Sequence, residues 1–182
     1  MPRIVPATPA DAPAVADVFL AARATMTYLP ELHTDDETRG FIADVVLPRQ
    51  DVHLALDDDG AVLGFAAVDG AWLEHLYVAP AAWGRGVGTA LLEHVLAGRD
   101  GELSLHVFQR NTGARRLYER HGFVLVATGD GSGNEEREPD ATYRRPPHPE
   151  SPREPAGSSS LTLRAEPIGL LRQRPEPDPA PR

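Results

Sequence analysis

Apolar residues along this chain recur with two periods, and the switches between them divide the first 145 residues into elements. Alternation with period two marks a strand with one buried face. It predicts strands over 4–7, 53–56, 62–68 and 72–78, with Asp59-Gly60 as the hairpin turn between the second and third. Recurrence every three to four positions marks a helix. Val15, Val18, Phe19 and Ala22 share one face of a helix that Asp11 caps and that runs to about Thr27. Thr34 and Glu37 have the spacing of a capping box ahead of Phe41, Ile42, Val45 and Val46. Val87, Leu91 and Val95, with Leu92 and Leu96, form a third helical stripe. Ala114, Leu117, Tyr118 and His121 form a fourth, over 111–121, and Gly122 suits its left-handed stop. Strands are predicted again over 103–108, 123–127 and 141–144. The order is β-α-α-β-β-β-α-β-α-β-β. It implies an α/β chain with a central mixed sheet, an antiparallel meander first and then a right-handed crossover through the Val87 helix.

Composition changes the picture beyond Pro146. That segment, 146–182, holds ten of the chain's 18 prolines, a Gly157–Ser160 cluster and few large apolar residues. Such a sequence buries too little surface to offset the entropy of ordering it, and it reads as a Pro-rich disordered tail after a folded domain over 1–145. Its five arginines balance five carboxylates, so the formal net charge of −9 belongs to the folded part. A surface of that sign argues against nucleic acid as a partner. It is compatible with a cationic acceptor, and equally with a solubility role. The chain has no cysteine, which excludes disulfides, thiolate metal sites and a cysteine nucleophile. No apolar run is long enough for a membrane span and no signal core opens the chain, so a cytoplasmic location is the expectation. No His or carboxylate group has metal-ligand spacing, and no metal is predicted.

Chemistry concentrates in two stretches. In Leu76-Tyr77-Val78-Ala79-Pro80-Ala81-Ala82-Trp83-Gly84-Arg85-Gly86-Val87-Gly88-Thr89 a strand enters a glycine-rich turn that opens a helix. The first amides of a helix have no internal partner, the helix dipole adds positive charge, and glycine lets an anion approach the backbone. The P-loop alternative requires a lysine, and the chain has none. The dinucleotide alternative requires a third glycine where Thr89 stands, on a turn that follows the first strand. The second stretch runs from Leu105 through Asn111 and Tyr118-Glu119-Arg120-His121-Gly122-Phe123.

Together the two stretches resemble the GCN5-related N-acetyltransferase superfamily, over roughly residues 3 to 145 and most closely from Trp72 to Phe123. The resemblance implies that superfamily's fold: a mostly antiparallel, twisted sheet with one splayed parallel strand pair, flanked by helices. It also implies acetyl-CoA as co-substrate and an amine-bearing acceptor as partner. Backbone groups of Leu76, Tyr77 and Val78 would pair with the pantetheine arm. Gly84, Arg85, Gly86, Val87, Gly88 and Thr89 would hold the diphosphate, and Asn111 and Ala114 would lie along the pantetheine. Tyr118 would protonate the leaving thiolate. Trp83 departs from the Gln or Arg that often opens the loop, and an indole supplies no charge to phosphate. A backbone N–H near Val78 would stabilise the developing oxyanion.

The base that takes the ammonium proton is read as His106, with Glu74 as the alternative. His75 adjoins Glu74, and strict alternation sends the two to opposite faces. Acceptor contacts are expected from Tyr28, His33 and His75. The acidic run 130–140 reads equally as an amine-attracting wall and as a solvated loop. Three functions remain open: a small-molecule amine acetyltransferase, a protein N-terminal or lysine acetyltransferase, and a non-catalytic acyl-CoA sensor. A homodimer is compatible with all three.

Overall fold

A computed structural model describes residues 1–147, and the tail reading falls almost wholly outside them. The first strand, β1 (Arg3–Pro6), is followed by a single 3-10 turn at Pro9–Asp11 and by α1 (Ala12–Ala24). Asp11 works one turn earlier than its predicted cap position. Its Oδ2 accepts from the Thr8 amide and hydroxyl, both at 2.7 Å, so it closes the 3-10 turn and makes no side-chain cap on α1. The second cap is as the spacing predicts. The Glu37 amide donates to Thr34 Oγ1 at 3.2 Å and the Thr34 amide to Glu37 Oε2 at 2.8 Å, worth about 1 kcal/mol to the start of α2 (Asp35–Phe41). That helix widens into π geometry over Ile42–Val46 and ends in a short last turn, α3 (Leu47–Arg49).

The rest follows the predicted order: β2 (Asp51–Leu56), β3 (Val62–Asp69), β4 (Trp72–Val78), α4 (Val87–Ala97), β5 (Leu103–Phe108), α5 (Thr112–Arg120), β6 (Val124–Gly129) and β7 (Asp140–Arg145). The seven strands form one sheet in the order β1-β2-β3-β4-β5-β7-β6, with β4 and β5 its parallel pair. One face packs on α1 and α2 through Val15, Phe19, Ile42, Val46, Leu54 and Phe65. The other packs on α4 and α5 through Leu91, Leu92, Val95, Leu105, Tyr118 and Tyr143. Each fully buried side chain of this kind stabilises the fold by about 1.5–3 kcal/mol. Among the described residues no helix is long and apolar enough to cross a membrane.

One irregularity in β4 shapes everything that follows. Ala67 pairs with His75 but Val68 pairs with Leu73, so Glu74 is the extra residue of a β-bulge. The bulge breaks the alternation. Leu73 and Leu76 both pack toward α4, whereas His75 and Tyr77 lie toward α1. Pairing of β4 with β5 stops at the same point, after Trp72↔Ser104 and Leu73↔Leu105. Beyond it the two strands part.

Gly64 on β3 holds the neighbouring strand close. A Cβ there would lie 2.7 Å from the Tyr77 carbonyl oxygen, a backbone atom with little room to yield. Gly64→Ala is therefore expected to cost about 1–3 kcal/mol, read as the denaturation midpoint shift at unchanged m-value. An unchanged midpoint would show that β3 and β4 can separate freely.

Candidate active site

The cleft opened by the splay has a volume of about 500 Å³. Its walls bring together Leu76, Tyr77 and Val78 from β4, Gly84, Gly86, Val87, Gly88 and Thr89 from the glycine turn and α4, and Asn111, Ala114 and Tyr118 from α5. Arg85, the remaining predicted coenzyme residue, is exposed and lies off the cleft. Sequence reasoning did not include Met26, Leu117 and Arg120, which also line it. Arg120 is a cation in the cleft wall. Its place at the end of the α5 motif was its one sequence signal.

Strand geometry decides which β4 groups face the cleft. The Ala79 amide donates to the Leu63 carbonyl at 2.8 Å, so alternate residues, Tyr77 included, bond toward β3. The N–H and C=O groups of Leu76 and Val78 therefore point into the splay, while Tyr77 contributes its ring rather than its backbone. Trp83 takes one of these groups. Its indole Nε1 donates to the Val78 carbonyl at 2.9 Å and closes the turn back on the strand. This hydrogen bond gives the departure at position 83 a definite structural role.

The turn places Gly84 at φ +73° and Gly86 at φ +77°, both left-handed, and a Cβ on either would point into open space. Gly86 caps α4, and the first helical hydrogen bond runs from the Ala90 amide to its carbonyl at 2.9 Å. The amides of residues 87–89 thus have no partner within the helix. An open surface of unpaired amides at a helix start, without side chains over it, fits a diphosphate. Opposite, Asn111 caps α5, its Oδ1 accepting from the Ala114 amide at 3.1 Å, which leaves its Nδ2 donors for the cleft. Tyr118 follows two turns along. It is 6% exposed and packs on Phe123, and burial raises its pKa above that of a free phenol.

Both candidate bases are the first residues past the last parallel pair, where β4 and β5 diverge. His106 stacks on Trp72 at 4.7 Å, and its Nδ1 lies 3.1 Å from Thr142 Oγ1. Burial lowers its pKa, partly opposed by Asp140, so the imidazole is neutral at physiological pH. Glu74 is exposed on the bulge.

A second cavity, of about 880 Å³, lies between α1 and the start of α2. Met26 lines both cavities and marks their junction. His33 lines the second and stands 3.4 Å from Glu135. Tyr28 meets Phe108 edge-on at 6.2 Å, beneath the Arg110 guanidinium, and its pKa is raised by burial and by Glu138. The acidic segment between β6 and β7 is built into the protein. Gln109 Nε2 donates to the carbonyls of Gly129 (3.0 Å) and Asp140 (2.9 Å), stapling the ends of the loop. Asn134 Nδ2 donates to the Glu138 carbonyl at 2.9 Å, and Arg23 pairs with Glu136 at 3.0 Å.

Tyr28 and His75 line neither cavity, contrary to their expected contact with the acceptor. His75 packs among the rings of Phe19, Phe41, Phe65 and Tyr77, with centroids 6.1 to 6.3 Å away. Burial, aided by the Arg23 charge, lowers its pKa to about 4. The unfolded chain binds this proton near pH 6.5 and the folded one does not until about pH 4. The neutral form's stability is complete above pH 6.5 and is lost as pH falls toward 4, by at most about 3 kcal/mol. His75→Phe should flatten that acid slope in denaturation measured from pH 7 to 4. Identical slopes in the two proteins would show that His75 titrates normally.

Several known proteins are similar to this chain in sequence or fold. The acetyltransferase (GNAT) family model matches residues 19–123. The peptidyl-lysine N-acetyltransferase YiaC of Escherichia coli is 39% identical over 71 residues, covering 38% of this chain and 48% of that protein. The peptidyl-lysine N-acetyltransferase YjaB of the same species is 31% identical over 112 residues, 62% of this chain and 68% of the other. The first of these matches thus spans about half the length of the relative. A GCN5-related N-acetyltransferase from Kribbella flavida superposes with a TM-score of 0.60 at 26% identity, over 79% of this chain and 96% of the other. With the family's match extending over more than half of its residues, the chain belongs to the GNAT acetyltransferase family.

Proposed function

We propose that this protein is an N-acetyltransferase that moves the acetyl group of acetyl-CoA directly to an amine, and that the amine belongs to a small molecule. One observation carries the reading. The unpaired amides at the start of α4, the cleft-facing backbone of β4, Asn111 and Tyr118 all border one cleft. Acetyl-CoA supplies the activated acetyl group. The α4 amides hold its diphosphate, and the Leu76 backbone and Asn111 Nδ2 hold the pantetheine arm. The Val78 N–H, which faces the cleft, stabilises the developing oxyanion. The amine nitrogen attacks the thioester carbon and the carbon–sulfur bond breaks. Tyr118 then gives its proton to the sulfur, and burial suits it to the task by keeping the phenol protonated. His106, neutral and held by Thr142, takes the proton of the ammonium, with Glu74 at the same fork as the other candidate.

The acceptor enters through the second cavity and meets the acetyl group near Met26. Arg23–Glu136 ties the last turn of α1, and His33–Glu135 the α1–α2 connection, to the β6–β7 segment. The two tethers favour a roofed pocket, suited to a small acceptor, over a groove open at both ends. Modification of protein lysines is the second reading, favoured by the named activity of the E. coli relatives. Free-thiol release from acetyl-CoA, measured against small amines, lysine peptides and N-terminal peptides, decides between them. Turnover with small amines is the expected result. Turnover with peptides alone would select the second reading. Tight acetyl-CoA binding with no transfer to any amine would select a sensor.

A further inference from the structure

Among the described residues, the wall of the cleft at the splay holds one charged side chain, Arg120. It stands at the end of α5, and no described carboxylate pairs with it. Packing keeps it beside the glycine turn. A Cβ built on Gly88 would lie 3.6 Å from Leu117 Cδ2, so Leu117 abuts the first turn of α4. Arg120 is three residues further along α5, on the same face. His121, next in the chain, has its Nε2 3.6 Å from Glu93 Oε1 on the second turn of α4. The two contacts hold the end of α5 against α4, and Arg120 borders the same cleft as Gly84, Gly86 and Thr89.

The glycine turn brings no cation of its own to the cleft. Arg85 lies off it, and the Trp83 indole N–H is committed to the Val78 carbonyl. The unpaired amides of α4 offer the partial charge of a helix start, equivalent to roughly half a unit. The coenzyme of the reading above is a polyanion, with about two negative charges on its diphosphate and about 1.5 to 2 more on its 3′-phosphate. It approaches a chain whose own formal net charge is −9. Amides alone leave most of the ligand's charge unmatched, and the field of the whole protein opposes its entry. A guanidinium carries a full charge at every physiological pH, and its parallel N–H donors fit phosphate oxygens.

We propose that Arg120 binds a phosphate group of the coenzyme and supplies the cation that the glycine turn lacks. That group is the diphosphate at α4 or the 3′-phosphate of the adenosine, and the test separates the two. The proposal rests on the transferase reading above for the identity of the ligand, but it makes a separate claim, about affinity rather than transfer.

The test is calorimetric titration of the full chain with coenzyme A and with dephospho-coenzyme A, which lacks the 3′-phosphate. No turnover is needed for this readout. Arg120→Gln should raise the coenzyme A dissociation constant roughly tenfold. Arg120→Lys should fall between, because it keeps the charge and loses the paired donors. Arg116→Gln removes the same charge from an exposed position of α5 off the cleft, and should change the affinity by less than about twofold. Equal losses for the two ligands in Arg120→Gln place the guanidinium on the diphosphate. A loss for coenzyme A alone places it on the 3′-phosphate. Arg120 is exposed, so its replacement should leave the melting temperature unchanged. An unchanged affinity in Arg120→Gln overturns the inference, as does an equal loss in Arg116→Gln, which would reveal only the general field of the protein. Tight binding that depends on Arg120, without acetyl transfer to any amine, would sink the transferase reading alone. Transfer to amines with an affinity indifferent to Arg120 would sink this inference alone.

Discussion

Replacing Tyr118 with phenylalanine is expected to lower kcat by about 100-fold or more while changing the acetyl-CoA dissociation constant by less than about threefold. The substitution removes one hydroxyl and keeps the ring. That ring is part of the core beneath α5, 6% exposed and against Phe123 at 5.7 Å, so the fold has little reason to move. What disappears is the proposed proton donor in the cleft wall. Without it the sulfur would leave as a bare thiolate, and the barrier would rise. Burial strengthens the expectation, because a phenol with a raised pKa stays protonated across physiological pH. Steady-state kinetics with free-thiol detection, paired with calorimetry for coenzyme affinity, separates the two effects. An unchanged kcat would remove Tyr118 from the acid role.

Gly86→Val is expected to act on the other half of the proposed coenzyme site, raising the acetyl-CoA dissociation constant at least roughly tenfold. Two effects add. The residue has φ +77°, where a β-branched side chain is strained by about 1–3 kcal/mol. Its Cβ would meet no protein atom within 4 Å, and Gly86 is in the wall of the cleft, so the side chain would take up space there. Packing inside the protein would not oppose the substitution, but the ligand would. Gly86→Ala should fall between, since it shares the backbone strain and obstructs less. Direct titration with acetyl-CoA measures both. An unchanged affinity for the valine variant would mean the diphosphate lies elsewhere.

These two residues were legible in the sequence because their signals are local. A strand running into Gly84-Arg85-Gly86-Val87-Gly88 can be recognised within a dozen positions, and Asn111 and Tyr118 share a helix face by spacing alone. The Thr34–Glu37 box is local in the same sense. Asp11 shows the limit even there. Thr8 stands three residues upstream and claims its carboxylate, so the aspartate that reads as the cap of α1 closes the preceding turn.

The sequence by itself determined the element order, the glycine turn and the α5 motif, because hydrophobic periodicity and backbone preference act over a few neighbouring residues. Only the tertiary structure decided what depends on residues far apart. The bulge at Glu74 exists in the register between β3 and β4. It puts Leu73 and His75 on opposite faces of the sheet, and the pairing of β4 with β5 stops at the same point. The run around Glu136 reads as a solvated loop as readily as a wall. Its burial depends on Arg23, 113 positions away, and on the stapling of its ends by Gln109. A carboxylate is exposed or buried according to the groups that come to meet it, and those meetings are set by the packing of the whole sheet and its helices.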